Sequence, residues 1–229
     1  MVDIRNYTKL TYTAASIVDL FSVSNDFKNY YRNVGGNEVN SLIRHFIVNN
    51  KPFAFKDKPI LYEQITQYLA DKLDITPTEI KLIGSAKTGF SISPPPDYGK
   101  EFGSHSDLDF SIVNSELFKE MESEYSKWAE LYESGEIEPR NATEEIYWKQ
   151  NANDGHSQIG KGFIDTKFIP NRDPFFLTKK INNSLWLIKN SLGTNHGIVV
   201  TKATASIYRN WNSFASRLNR NTKHIMQQL

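Results

Sequence analysis

Asp107 and Asp109 flank Leu108 at the start of the strand-like run Leu108–Val113, and their type and spacing suggest chemistry directly. On a β-strand, residues two apart project from the same face. Two neighbouring carboxylates repel each other unless a cation lies between them, and carboxylate oxygens are preferred ligands of Mg²⁺ and Mn²⁺. The pair therefore predicts a divalent-metal site, although a solvent-facing turn or strand edge can show the same spacing.

Asp165 is a lone carboxylate within a third strand-like run, residues 162–169 (GFIDTKFI). An unpaired charge is costly among buried apolar side chains. Two interpretations remain open at this point. Asp165 is either a third metal ligand on an adjacent strand or one half of an ion pair with a neighbour such as Lys161 or Lys167.

Gly84 and Ser85 end the apolar run Ile80–Ile83 and precede a predicted helical turn. Backbone N–H groups at such a turn, with the Ser85 hydroxyl, can bind phosphate oxygens, and Gly84 permits close approach of a ligand. Lys87 would then neutralise phosphate charge. A tight turn without a ligand is the alternative, and the P-loop motif G-x-x-x-x-G-K-[ST] is absent.

The elements that must position these residues alternate between helical and strand-like patterns. Apolar spacing predicts helices through residues 39–47, 61–73 and 115–134, followed by a loop rich in Asn, Gly and Thr. Ile207, Trp211, Phe214 and Leu218 predict the apolar stripe of one C-terminal helix. We expect an α+β fold, with a helical segment 1–78, a small mixed sheet within 79–170 and a basic helical segment 171–229, packed as one unit.

Composition excludes several classes of protein. The chain has 229 residues and no Cys, which excludes disulfide scaffolds, thiolate zinc sites and cysteine nucleophiles. No apolar run approaches the ~20 residues of a membrane span, and the amino-terminal sequence predicts no signal peptide. We therefore expect a cytoplasmic protein without a membrane partner.

Charge is segregated along the chain. Residues 174–229 carry +8 with no acidic residue, whereas residues 1–173 carry −7. This segregation predicts either contact with a polyanion or an internal balance of charge. The candidate nucleic-acid-binding residues are Lys202, Arg209, Arg217, Arg220 and Lys223.

The order of these motifs resembles the DNA polymerase beta-like nucleotidyltransferase superfamily over about residues 79–170. The resemblance rests on Ile83-Gly84-Ser85, on Asp107-Leu108-Asp109 and on the later Asp165. It implies a small mixed-sheet nucleotidyltransferase core flanked by N- and C-terminal helices. It also implies Gly84 and Ser85 on the β- and γ-phosphates, and Asp107, Asp109 and Asp165 as catalytic ligands of two Mg²⁺ or Mn²⁺ ions.

The spacing departs from the common family pattern, because Asp107 follows Ser85 by 22 positions. The excess is the loop 93–104, whose three consecutive prolines cannot continue a helix, so we expect a short helix and a projecting loop. A similar insertion before S-D-[IL]-D is typical of bacterial nucleotidyltransferase-like proteins of defence and toxin–antitoxin loci. This similarity implies a cognate defence, toxin or antitoxin protein as partner.

The expected activity is transfer of a nucleoside monophosphate from a nucleoside triphosphate to a hydroxyl acceptor, with release of pyrophosphate. The acceptor would be a nucleic-acid end, a growing oligonucleotide or a second nucleotide. Lys179 and Lys180 are additional candidates for binding the triphosphate, or are simply surface lysines. Two other functions remain open: a catalytically silent nucleotide-binding antitoxin or sensor subunit on the same fold, and a glycosyltransferase that uses the D-x-D pair.

Overall fold

The computed structural model describes residues 10–17 and 21–229, and it confirms a mixed α+β protein. Residues 1–9 lie outside the described residues. They include most of the amino-terminal sequence for which we predicted no signal peptide. The four-stranded sheet has the order β1-β2-β4-β3. Its strands are β1 (Ile80–Ile83), β2 (Leu108–Val113), β3 (Phe163–Asp165) and β4 (Ala203–Tyr208). The β2–β4 pair is parallel, and the two outer pairs are antiparallel.

Helices precede, connect and follow the strands. They are α1 (Tyr12–Ser16), α2 (Ser24–Asn33), α3 (Val39–Ile43), α4 (Pro59–Leu73), α5 (Ser85–Thr88), α6 (Ser115–Glu133), α7 (Ala142–Gly160), α8 (Phe176–His196) and α9 (Trp211–Gln227). A π-helical segment, Arg44–Asn49, continues α3. Among the described helices, none combines the length and apolar character needed to cross a bilayer.

The sheet has one apolar and one polar face because side chains alternate along each strand. The apolar face joins the main core, to which α4, α6 and α8 each contribute. Its strand residues are Ile80, Leu82, Leu108, Phe110, Ile112, Ile164, Ala205 and Ile207. On the opposite face, Phe214 and Leu218 of α9 pack near Phe163 and Tyr208. The polar face is therefore covered in part by α9, and its uncovered part carries the candidate site.

Local sequence explains the elements next to the site. The predicted bounds of β1 and β2 are both confirmed. Helix α6 begins where Asn114 caps it, since the Asn114 side chain accepts hydrogen bonds from the N–H groups of Glu116 and Leu117. The helical turn predicted after Gly84 is α5.

Three predictions about secondary structure are wrong. The C-terminal helix begins at Trp211, and Ile207 belongs to β4, so the sheet takes its fourth strand from the segment predicted to be helical. The region predicted as a loop after residue 134 contains α7. The third strand ends at Asp165, and a 3-10 turn follows it at Thr166–Phe168.

The loop 93–104 packs against α2 through Tyr98, whereas residues 94–97 are exposed, so only part of the loop projects as predicted. Tyr98 lies in the cluster formed by Phe27 and Phe90. The Tyr98 hydroxyl donates a 2.8 Å hydrogen bond to the Ser24 carbonyl, and burial raises the pKa of Tyr98 to about 12. The insertion therefore joins the N-terminal helices to the edge of the site.

Candidate active site

The polar face is arranged in rows because the strand register places equivalent residues side by side. One row runs Ile83, Asp109, Thr204, and the next contains Ser111, Ser206 and Asp165. Asp165 thus lies on the same face as Asp109. However, β4 lies between its strand and β2, so the two strands are not adjacent, contrary to the expectation. The strands that carry Asp109 and Asp165 are therefore two strand spacings, or about 9–10 Å, apart.

Asp109 is a carboxylate in a desolvated, negatively charged setting. Burial raises its pKa, and the neighbouring charges of Asp107 and Asp165 raise it further. The Thr204 hydroxyl, which donates to Asp109 Oδ1 over 2.7 Å, and the positive charge of Lys202 oppose this rise. Among the ion pairs of the described residues, none includes Asp109. A cation at this position would relieve the repulsion.

Asp107 lies at the more exposed end of the pair. Its carboxylate accepts a hydrogen bond from the Thr201 hydroxyl, and Lys202 Nζ lies 3.3 Å from its Oδ2. The Lys202 side chain is largely exposed, so this ion pair is weak and easily exchanged. Asp107 is therefore available to a competing cation.

Gly84 brings the backbone of the Gly-Ser turn directly against Asp109. Its φ of 70° and ψ of −161° lie in a region that is essentially restricted to glycine. A Cβ built on Gly84 would lie 2.9 Å from Asp109 Oδ2, closer than a real Cβ contact. The turn and the carboxylate pair predicted from separate motifs thus converge in space.

We expect Gly84→Ala to lower the free energy of unfolding by about 1–3 kcal/mol, because a Cβ strains the backbone and meets Asp109. Urea denaturation measures this change. Gly135→Ala is the matched control, since Gly135 also has a positive φ but its added Cβ would meet no atom within 4 Å. Repeating Gly84→Ala in an Asp109→Ala background should reduce its cost, and an equal cost in both backgrounds would refute the contact.

Asp165 is held by an ion pair with Arg217 of α9. Arg217 Nη1 lies 3.2 Å from Oδ1 and Nη2 lies 3.4 Å from Oδ2, and the two side chains are 22% and 13% exposed. The Ser206 hydroxyl also donates to Asp165. The ion-pair interpretation of Asp165 therefore describes this structure, with Arg217 in place of Lys161 or Lys167.

Three hydroxyl groups that the sequence did not single out support the three carboxylates. Thr201, Thr204 and Ser206 lie in or just before β4, and they bind Asp107, Asp109 and Asp165 respectively. The alternation of Ala203 to Ser206 (ATAS) is the strand signal that could have identified two of them. Each hydroxyl orients one carboxylate on the polar face.

Lys87 does not extend from the turn into solvent. It is 4% exposed, and its ammonium donates to the Asn50 carbonyl. Burial, together with the charge of Lys81, lowers its pKa to about 8. The structure thus gives Lys87 a contact that joins α5 to Asn50, directly after the π-helical segment, instead of a position open to phosphate.

The lowered pKa of Lys87 predicts a pH-dependent stability. Above pH 8 the folded protein releases a proton that the unfolded chain retains up to about pH 10.5, so stability rises with pH in this window, by at most ~1.4 kcal/mol per unit. Denaturant unfolding at stepped pH should show this rise in the wild-type protein and not in Lys87→Met. If the free energy of unfolding changed with pH in the same way in both proteins, the buried position of Lys87 would be contradicted.

The other basic residues predicted to bind phosphate or nucleic acid lie in different parts of the structure. Helix α8 packs on the apolar face of the sheet, opposite the carboxylates, and Lys179 Nζ lies 2.7 Å from Asp173 Oδ1. The structure thus does not bring Lys179 or Lys180 to the site. Arg209 donates to the Ile159 carbonyl over 3.2 Å. Arg220 and Lys223 line a groove further along α9.

The residues present fit one divalent cation better than the implied three-carboxylate arrangement. Asp107 and Asp109 offer hard carboxylate oxygens, and Asp109 carries a charge that no described cation pairs. Asp165 is bound by Arg217. Within residues 10–17 and 21–229, no three acidic or histidine side chains come close enough to hold a metal ion together.

Comparisons with protein-family models, curated proteins and solved structures gave no match to this chain.

Proposed function

We propose that this protein is a divalent-cation-dependent nucleotidyltransferase that moves a nucleoside monophosphate from a nucleoside triphosphate to a hydroxyl acceptor. The observation that carries the proposal is the close approach of the Asp109 carboxylate to Gly84, where an added Cβ would lie 2.9 Å from Oδ2, with Asp107 beside it. A glycine turn against a carboxylate pair suits a ligand that combines phosphate oxygens with a bound cation. A sugar nucleotide, which is the donor of a glycosyltransferase, also combines phosphate oxygens with a bound cation. The experiment below therefore compares sugar nucleotides with nucleoside triphosphates.

Each residue has a role in this proposal. Asp107 and Asp109 would hold Mg²⁺ or Mn²⁺, which offsets negative charge on the triphosphate. Gly84 and the N–H groups that open α5 would contact the phosphates, because the first turn of a helix leaves its N–H groups without helical acceptors. In the reaction, the acceptor hydroxyl loses its proton to solvent, its oxygen forms a bond to the α-phosphorus, and the bond to the bridging oxygen of the leaving pyrophosphate breaks. The protein mainly positions the groups and stabilises charge.

The Arg217–Asp165 ion pair favours a second candidate function, a catalytically silent nucleotide-binding protein such as an antitoxin or sensor subunit. A carboxylate bound on both oxygens by a guanidinium is not available as a ligand. Metal-dependent triphosphate binding without release of pyrophosphate would favour this candidate.

The test is incubation of the full chain with α-labelled nucleoside triphosphates, Mg²⁺ or Mn²⁺ and total RNA, followed by mass spectrometry of all products. Parallel reactions with sugar nucleotides test the glycosyltransferase alternative. We expect pyrophosphate and a product carrying the labelled monophosphate, and we expect the Asp107→Asn/Asp109→Asn variant to form neither. Asp71→Asn, an exposed carboxylate of α4, is the matched control. Transfer by the double variant at the wild-type rate would refute the proposal.

A further inference from the structure

An open polar groove of about 560 Å³ lies along α9 and reaches Asn40 of α3. All of its lining residues are polar, and none is acidic. From α9 they are Ser216, Asn219, Arg220, Lys223, His224 and Gln227. Since basic groups and amides line it together, the groove has the chemistry to bind an anion that also carries hydrogen-bonding groups.

The two cations of the groove are available, unlike the other basic candidates of the C-terminal segment. Lys202 and Arg217 are paired with Asp107 and Asp165. Among the described ion pairs, none includes Arg220 or Lys223. Charge that the fold leaves unneutralised on one surface attracts polyanions.

An acidic group close to Asn40 does not neutralise the groove. Glu38 accepts hydrogen bonds from the backbone N–H and hydroxyl of Thr11 and from the N–H of Gly35. These bonds lower the pKa of Glu38. Glu38 is not among the residues that line the groove.

Ser216 and Arg220 of the groove lie on either side of Arg217 along α9, and the Arg217 guanidinium binds Asp165 on the polar face. The groove therefore lies on the same helix that covers part of the polar face.

We infer that this groove binds the sugar–phosphate backbone of a single-stranded nucleic acid. Cations, amides and a hydroxyl are the groups that contact phosphates and sugars without reading bases. The lining contains no Phe, Tyr or Trp, so its one ring for base stacking is the His224 imidazole, and it has no apolar pocket for a peptide anchor. The open, polar form of the groove suits a short stretch of flexible strand.

This inference deepens the proposed function by naming the class of acceptor, and it rests on that function only for the transfer step that comes after binding. Strand binding itself is measured in EDTA without nucleotide, so its failure is separable from failure of transfer. A strand that binds wild type and Asp109→Asn equally, with no transfer by either, would remove the proposed function and leave the groove assignment standing.

The experiment is fluorescence anisotropy of the full chain with a short labelled RNA strand, the same sequence as DNA, its duplex and an acidic peptide. We expect Arg220→Gln/Lys223→Gln to weaken strand binding at least tenfold. Between about 50 and 200 mM salt, the slope of log affinity against log salt should fall by about 1.4, since each single-strand phosphate contact contributes ~0.7. Lys72→Gln/Lys127→Gln removes the same charge from exposed positions on the opposite side of the sheet and is the matched control.

The RNA, DNA, duplex and peptide probes each test a different part of the inference. Equal affinity for RNA and DNA supports backbone recognition, and preference for RNA adds a contact to the 2′-hydroxyl. An unchanged affinity and salt slope in the Arg220→Gln/Lys223→Gln variant would overturn the inference. Tighter binding of the duplex, or of the acidic peptide through these two residues, would also overturn it.

Discussion

Asp109→Asn is expected to reduce nucleotidyl transfer by about a thousandfold or more and to stabilise the metal-free protein. A ligating carboxylate supplies several kcal/mol of charge stabilisation, and each 1.36 kcal/mol corresponds to tenfold in rate. In EDTA the same carboxylate is unfavourable, because burial and the charges of Asp107 and Asp165 raise its pKa. Removing it should raise the Tm at neutral pH.

The sign of the stability effect follows from proton linkage. A raised pKa means that the folded protein binds more protons than the unfolded chain, so the Asp109 contribution falls as pH rises through its titration. Thermal unfolding in EDTA at several pH values should show this loss in wild type and not in Asp109→Asn. Excess Mg²⁺ should narrow the difference in Tm. Equal Tm values in EDTA together with undiminished transfer would contradict the assignment of Asp109.

Arg217→Met is expected to lower the free energy of unfolding by about 3 kcal/mol, at the lower end of the cost of leaving one partner of a buried ion pair alone. Arg217 also lies over the ring of Phe163, with its Cζ 3.8 Å from the ring centroid, and it donates to the Tyr208 hydroxyl over 3.1 Å. For a chain of this size the Tm should fall by about 6–12 °C. Differential scanning calorimetry measures this loss.

The Arg217 prediction has two controls. Arg140→Met removes an exposed guanidinium remote from the ion pair and should change the Tm little. Arg217→Met/Asp165→Leu removes both charges and should recover part of the lost stability, because no carboxylate is then left unpaired. A double variant as unstable as the sum of the two single changes would show that the ion pair contributes nothing.

Short-range sequence patterns predict the elements next to the site well. The runs IKLI and LDFSIV became β1 and β2 at the predicted bounds, and the Gly-Ser turn leads into α5. Strand β4 was missed because Ile207 falls by coincidence at a helical spacing from Trp211 and Phe214. Its own signal, the alternation of small residues with Thr204 and Ser206, is weak.

Local sequence also identifies some residues of the candidate site and misses others. Asp109, Asp107 and Gly84 could be identified from local sequence because each motif carries its own chemistry. The partners of Asp165 could not, because they depend on the antiparallel β3–β4 pairing and on the packing of α9, which bring Ser206 and Arg217 to it across long sequence separations. Tertiary packing determines which charges remain available, and here it leaves Arg220 and Lys223.

The central claim is that Asp107 and Asp109 bind a divalent cation beside Gly84. Anomalous diffraction from crystals of the full chain grown with Mn²⁺ and a non-hydrolysable nucleoside triphosphate tests it most directly. The account predicts an anomalous peak between the two carboxylates, with phosphate density against the Gly84 turn. Well-ordered carboxylates with no peak between them, and nucleotide bound elsewhere, would contradict it.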